Sequence, residues 1–154
     1  MEKTKLVKTD LDVQITELVN KTDHKTLVIW ACDCAERVLA YFERKYPDDN
    51  RLKKAIEAGR AWVRDELKMT DARKAAFTAH AAARDANQVV EASFAARSAG
   101  HASATAHVAS HAVYAAIYAV KAVLNTVGST DSDVIKERDW QYKHLIDLRK
   151  DTKF

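Results

Sequence analysis

Residues 104–122, ATAHVASHAVYAAIYAVKA, thread two histidines and two tyrosines through a run of alanine. On a helix, His107 and His111 stand four apart on one face, and such a pair can place two imidazole nitrogens on one metal ion, with zinc the default. A structural zinc site needs two more ligands and a catalytic one at least one more. Val108, Ala109 and Ser110 separate the pair, so the glutamate of the metalloprotease helix is missing. His80, His101, Asp33, Cys34 and Glu36 are the candidate further ligands. His101, six residues before His107, falls about 120° away around a helix and does not join the stripe. Tyr114 and Tyr118 do join it, at i+7 and i+11. The competing reading makes these side chains a polar seam inside a helical bundle, with each imidazole hydrogen-bonded rather than metal-bound.

A second cluster is WACDCAER, residues 30–37. A cysteine nucleophile there would need a base within reach, and no local pattern supplies one. Cys32 and Cys34, two apart on a helix, point to nearly opposite sides and should not bond to each other, which fits core thiols in a reducing compartment. Asp33 can pair with Arg37 at i, i+4. Asp33 or Glu36 meeting His107 or His111 across a helix interface would hold an imidazolium and fix helix register. The expected seam therefore comprises Asp33, Cys34, Glu36, His80, His107, His111, Tyr114 and Tyr118.

No phosphate-binding glycine loop, Walker lysine or Ser–His–Asp signature is present. A di-iron bundle needs Glu-x-x-His on two helices. Phe77, Ser98, Ala104 and Val108 occupy the positions three before His80, His101, His107 and His111. No catalytic motif and no cofactor are expected, and the chain reads as non-enzymatic.

The elements that must position these residues are helices. The 154 residues hold 27 alanines but only 3 glycines and 1 proline, which favours helix and leaves few tight turns for a hairpin-rich β fold. The expectation is an all-α, single-domain bundle of about five to seven helices with a closely packed alanine-rich core. The formal charge of +3 is a mild excess without a basic, aromatic-interleaved stripe, so no nucleic-acid partner is expected; Lys3, Lys5 and Lys8 form the one small basic cluster. No apolar leader or membrane-length run is visible, and the protein is expected to be cytoplasmic.

Periodicity predicts a short helix around Asp10 to Val19, then one capped by Thr22 or Asp23 and running to about Lys45. Pro47 ends it, with Asp48 or Asp49 available as the next cap. Further helices are expected over 49–67, from Thr70 or Asp71 to about Arg84, and over 88–99. Gly100 either interrupts this last segment or lies inside one long helix continuing to Val127. VGSTDSD is the one clear linker before a final helix over 132–149. Residues 1–21 thus form an extension, 22–127 the bundle core, and 128–154 a linker and a helix packing on the same domain.

Five blocks, LVIWACDCAERVLAYFE, YPDDNRLKKAIEAGRAWVRDEL, ARKAAFTAHAAARDA, SAGHASATAHVASHAVYAAIYAVKAV and ERDWQ, occur in an order that resembles a family of small, all-helical bacterial and archaeal immunity proteins. That family is related to one immunity class of polymorphic-toxin systems. The resemblance spans about 27–141, and the matching positions include Trp30, Asp33, Cys34, Glu36, Trp62, His80, His107, His111 and Trp140. It implies an intracellular protein, monomer or homodimer, that binds a cognate toxin domain and blocks it by protein–protein contact. The alternative from the residues alone is a small metal-binding or histidine-dependent bundle enzyme.

Overall fold

A computed structural model describes residues 10–151. The basic cluster expected at Lys3, Lys5 and Lys8 lies outside the described residues. Among them the chain forms seven helices and no strand: α1 (Leu11–Asn20), α2 (His24–Glu43), α3 (Arg51–Val63), α4 (Met69–Asp85), α5 (Val90–Ala104), α6 (His111–Leu124) and α7 (Asp131–Asp151). Among the described residues no helix is long and apolar enough to cross a membrane.

Local chemistry explains the starts of α2, α3 and α7. Asp23 caps α2 by accepting from the Thr26 N–H at 3.0 Å and the Thr26 hydroxyl at 2.7 Å. Asp49 accepts from the Arg51 N–H where α3 begins. Thr130 and Asp133 satisfy each other's backbone N–H at 3.3 and 2.9 Å, a reciprocal cap that starts α7. Gly128, at φ 79°, supplies the left-handed turn before it.

α2 and α5 lie at the centre. α5 packs against α2, α3, α4 and α6, and α2 also meets α3, α6 and α7. Alanine makes these approaches close: Ala95, Ala96, Ala99 and Ala102 of α5 face Ala79 and Ala82 of α4 and Ala112, Ala115 and Ala119 of α6 within one buried core. Larger side chains fill the α2 end, where Trp30, Val38, Phe42 and Leu52 are almost wholly buried. Both thiols are interior because α2 is covered on several sides.

α7 is tied in by hydrogen bonds as well as packing. Trp30 Nε1 donates to the Gln141 carbonyl at 2.9 Å, and Gln141 Nε2 donates to the Ala116 carbonyl at 2.9 Å. Arg138 donates to Gln141 Oε1 and to Asp12 of α1, at 2.8 and 2.9 Å. Each such bond contributes about 1 kcal/mol net, and leaving one buried partner unpaired costs about 1–3 kcal/mol.

The chain departs from the expected course between α5 and α6. Gly100 neither interrupts a helix nor sits in one reaching Val127; it is interior to α5, and the break falls at 105–110. There the Thr105 hydroxyl accepts nothing from the helix but donates back to the His101 carbonyl at 2.8 Å, and His24 Nε2 donates to the Thr105 carbonyl at 2.6 Å. The His24 contact satisfies a carbonyl that a continuing helix would have used, whereas the His101 carbonyl still accepts from the Thr105 N–H at 3.0 Å.

Candidate functional site

The break folds α6 back along α5 and brings together residues from three helices. His101 of α5 is the hub. Its Nδ1 lies 2.9 Å from Nδ1 of His111 on α6, with the rings 5.1 Å apart and 28° from parallel. Tyr118 stacks on His101 at 5.3 Å and 4°, Tyr114 lies at 5.4 Å, and His80 of α4 meets it edge-on at 4.9 Å. A Cβ on Gly100 would come within 2.7 Å of the His80 ring, so glycine is what lets this imidazole lie on the α5 backbone.

The hydrogen bonds constrain the protons. Arg97 Nη1 sits 2.9 Å from His80 Nδ1; guanidinium only donates, so Nδ1 accepts and the His80 proton resides on Nε2. Between His101 and His111 one Nδ1 donates and the other accepts. A proton on both would set two N–H groups head to head. Burial, reinforced by Arg97, His111 and Arg84, pushes His80 down to about 4. Burial, with His80, His111 and Arg97, does the same to His101, also to about 4, and burial and then His107 lower His111. At neutral pH the cluster is uncharged.

The stripe drawn from the sequence is altered in two ways. His107 precedes α6 in the turn, is exposed, and has its Nδ1 3.2 Å from Met69 Sδ instead of beside His111. Tyr114 is 50% exposed, and His80, His111 and Tyr118 are half-buried, so the expected interior seam is a surface of the bundle. The reason is the alanine content of α6: Ala112, Ala115, Ala116 and Ala119 take the core side, leaving the rings outward. Among the described residues no group of three or more His, Cys, Asp or Glu side chains is placed to hold a metal ion.

The 120° that separates His101 from the stripe holds only along one continuous helix, and the break at 105–110 removes it. The signal available was Gly100 itself, because a glycine inside a helical pattern marks close approach by a neighbour.

The carboxylate–imidazole contact expected for Asp33 or Glu36 also finds a different partner. Asp33 accepts from His144 Nε2 of α7 at 2.8 Å and from Arg60 Nη2 of α3 at 2.8 Å. Glu36, which is exposed, takes Arg60 in a fork at 3.1 and 3.0 Å. Trp140 stacks on His144 at 4.6 Å, and Arg37 covers the Trp140 ring at 4.0 Å while gripping Glu137 at 2.8 and 3.0 Å. This ladder joins α2 to α3 and α7, not to α6. Trp140 and His144 are four apart in sequence, and that spacing was the available sign of their stack.

The thiols offer no nucleophile. Burial pushes Cys32 up to about 12, and its Sγ lies 3.5 Å from the Ile56 carbonyl; burial, then Glu137 and Asp33, raises Cys34 as well. A thiol so placed is protonated and inert at neutral pH.

The model of the family described as Imm-5 like putative immunity protein matches residues 17–148. The chain belongs to that family. The match runs from α1 into α7, so both the histidine face and the Asp33 ladder lie inside the Imm-5 like region. No curated protein and no solved structure matches the chain.

Proposed function

We propose that this Imm-5 like protein binds a cognate toxin domain and neutralises it by protein–protein contact, without chemistry of its own. The observation that carries the reading is the family match over residues 17–148. The site geometry agrees with it. Groups that could do chemistry are committed elsewhere: the thiols to the core, Asp33 to Arg60 and His144, and the imidazoles to one another or to Arg97. An immunity protein asks only for a stable scaffold and a complementary surface, and the tightly packed alanine core supplies the first.

The test is co-expression with each candidate toxin domain encoded by the genes that adjoin this one, followed by native mass spectrometry of the purified mixture. Survival of the cells and a stoichiometric complex support the reading. A toxin that kills at equal rates with and without the chain, and no complex, would refute it.

A second reading rests on the two nitrogens 2.9 Å apart at His101 and His111. With one further ligand they would make a metal site, and His107 would have to leave Met69 to provide it. Stoichiometric zinc or copper in the purified protein, lost in His111→Ala, would favour that reading over the first.

A further inference from the structure

The histidine face continues into the largest concentration of exposed apolar side chains among the described residues. Of the seven large hydrophobic residues exposed among those described, Met69, Phe77, Val108 and Tyr114 belong to it; the other three, Val13, Val127 and Ile135, lie on α1, the linker and α7. Met69 touches His107, Val108 follows it, and Tyr114 packs on His101 and His111. Phe77 stands one turn before His80 on α4.

The charge on this side is unbalanced. Residues 92–130 contain no aspartate or glutamate at all. On α4 and at the start of α5 the acids are Asp71, Asp85 and Glu91, and Asp85 is paired with Arg51 of α3. On or beside the other helices Arg37, Arg51, Arg60, Arg64 and Arg138 pair with carboxylates, while Arg44 lies over the Tyr41 ring and Arg149 donates to the Lys21 carbonyl and the Thr22 hydroxyl. Among the described residues, none of Arg73, Lys74, Arg84, Arg97 and Lys121 does. Instead Arg73 lies over Phe77 at 5.2 Å, and Lys121 lies over Phe94 and Tyr118 at 5.6 and 5.1 Å. Aromatic anchors held by unpaired cations, with the imidazoles between them uncharged, make a surface whose complement is negative.

We infer that the α4–α5–α6 face, centred on Phe77, His101 and Tyr114 and edged by Arg73 and Lys121, is the docking surface for an acidic face of the toxin domain. This rests on the immunity reading and assigns the contact that reading leaves open. The rings supply buried area at low ordering cost, and the cations supply steering and orientation.

The test measures affinity for the toxin domain used in the co-expression experiment, by calorimetry at two salt concentrations. Phe77→Ala, Tyr114→Ala and the double reversal Arg73→Glu/Lys121→Glu alter side chains at the surface; Lys53→Glu/Lys54→Glu on the exposed side of α3 is the control. Thermal melts establish that each variant folds. The expected result is at least a tenfold loss for each variant of the face, salt-dependent binding by the unaltered chain, and no change for the control. If the variants bind within twofold of the unaltered chain, or the α3 control alone loses affinity, this face is overturned while the immunity reading stands. If the unaltered chain does not bind the toxin domain, both fall. A single-stranded oligonucleotide is the counter-probe: binding to it that Arg73→Glu/Lys121→Glu abolishes, with toxin binding untouched, would reassign the face to nucleic acid and overturn the inference.

Discussion

Gly59 marks a close approach of α3 to α2, and a methyl group there tests how rigid the interior is. A Cβ built at Gly59 would lie 2.7 Å from Cys32 Sγ, 3.5 Å from Val28 Cγ1 and 3.7 Å from the Ala102 carbonyl. Only the sulfur contact is prohibitive, short by about 1 Å of the ordinary ~3.5–4.0 Å separation. Overpacking costs about 1–3 kcal/mol, and alanine in place of glycine returns up to about 1 kcal/mol of helix propensity. Gly59→Ala should therefore destabilise by about 1 kcal/mol, a drop of about 2–4 °C in Tm for a chain of this size. Cys32→Ala removes a single buried heavy atom and should also cost about 1 kcal/mol. In the double variant the new methyl fills the space the sulfur left. Its stability should return to about that of the unaltered protein, giving a coupling of about 2 kcal/mol. Urea denaturation of the four proteins measures the cycle. If Gly59→Ala alone proves more stable and the coupling is near zero, the sulfur simply swings aside, and the account of a rigid α2–α3 crossing is wrong.

Other consequences can be measured in the same preparations. Because His80 and His101 are held down to about 4 against an ordinary value of about 6.5, the unfolded chain takes up protons first as pH falls. Stability should be full above about pH 6.5 and decline toward pH 4, by about 1–2 kcal/mol per ring once partial solvent exposure is allowed for; urea melts of His101→Gln should show a shallower decline, and an equally steep one would contradict the assignment. Neither thiol should react with a disulfide reagent at pH 8 until the protein unfolds, so prompt labelling of the native protein would count against their burial. Trp140→Ala should cost about 2 kcal/mol by removing the ring between Arg37 and His144, whereas Lys143→Ala on the exposed side of the same helix should stay within about 0.5 kcal/mol, as thermal melts would show. Gln141→Leu should cost about 1–2 kcal/mol by removing the amide that meets both Arg138 Nη1 and the Ala116 carbonyl, while Arg138 keeps Asp12 and the carbonyl keeps its place in the α6 ladder, and a neutral effect in urea would mean that water replaces the amide.

The helical class was plain in the sequence because alanine abundance and glycine scarcity act residue by residue, without reference to tertiary partners. The start of α2 was legible to within one residue, Thr22 or Asp23, and the cap is Asp23, which accepts from the N–H of a residue three positions away. The break at 105–110 was hidden because TAHVAS contains no glycine, proline or asparagine. It is made by partners distant in sequence: Ser103 donating to the Ala72 carbonyl and His24 to that of Thr105. The residue types of the site were also legible, in that His80, His111, Tyr114, Tyr118 and Asp33 all take part in clusters. Their partners were not. Asp33 and His144 are 111 residues apart, and nothing local says that a carboxylate on α2 turns toward α7 instead of α6.

The bond between Arg138 and Asp12 spans 126 residues and joins α1 to α7, which is the main partner of α1. During synthesis α1 leaves the ribosome ahead of α2 through α7, yet its docking surface is the last to emerge. Until then Ile15 and Val19, both buried in the finished protein, have no α7 to cover them. Of the seven described helices the earliest made is thus a latch that closes only once the latest has emerged, after α2 through α6 are free to collapse around their alanine faces. An unfinished chain arrested before residue 138 would leave that latch open, and protease cleavage within α1 would report how far translation had gone.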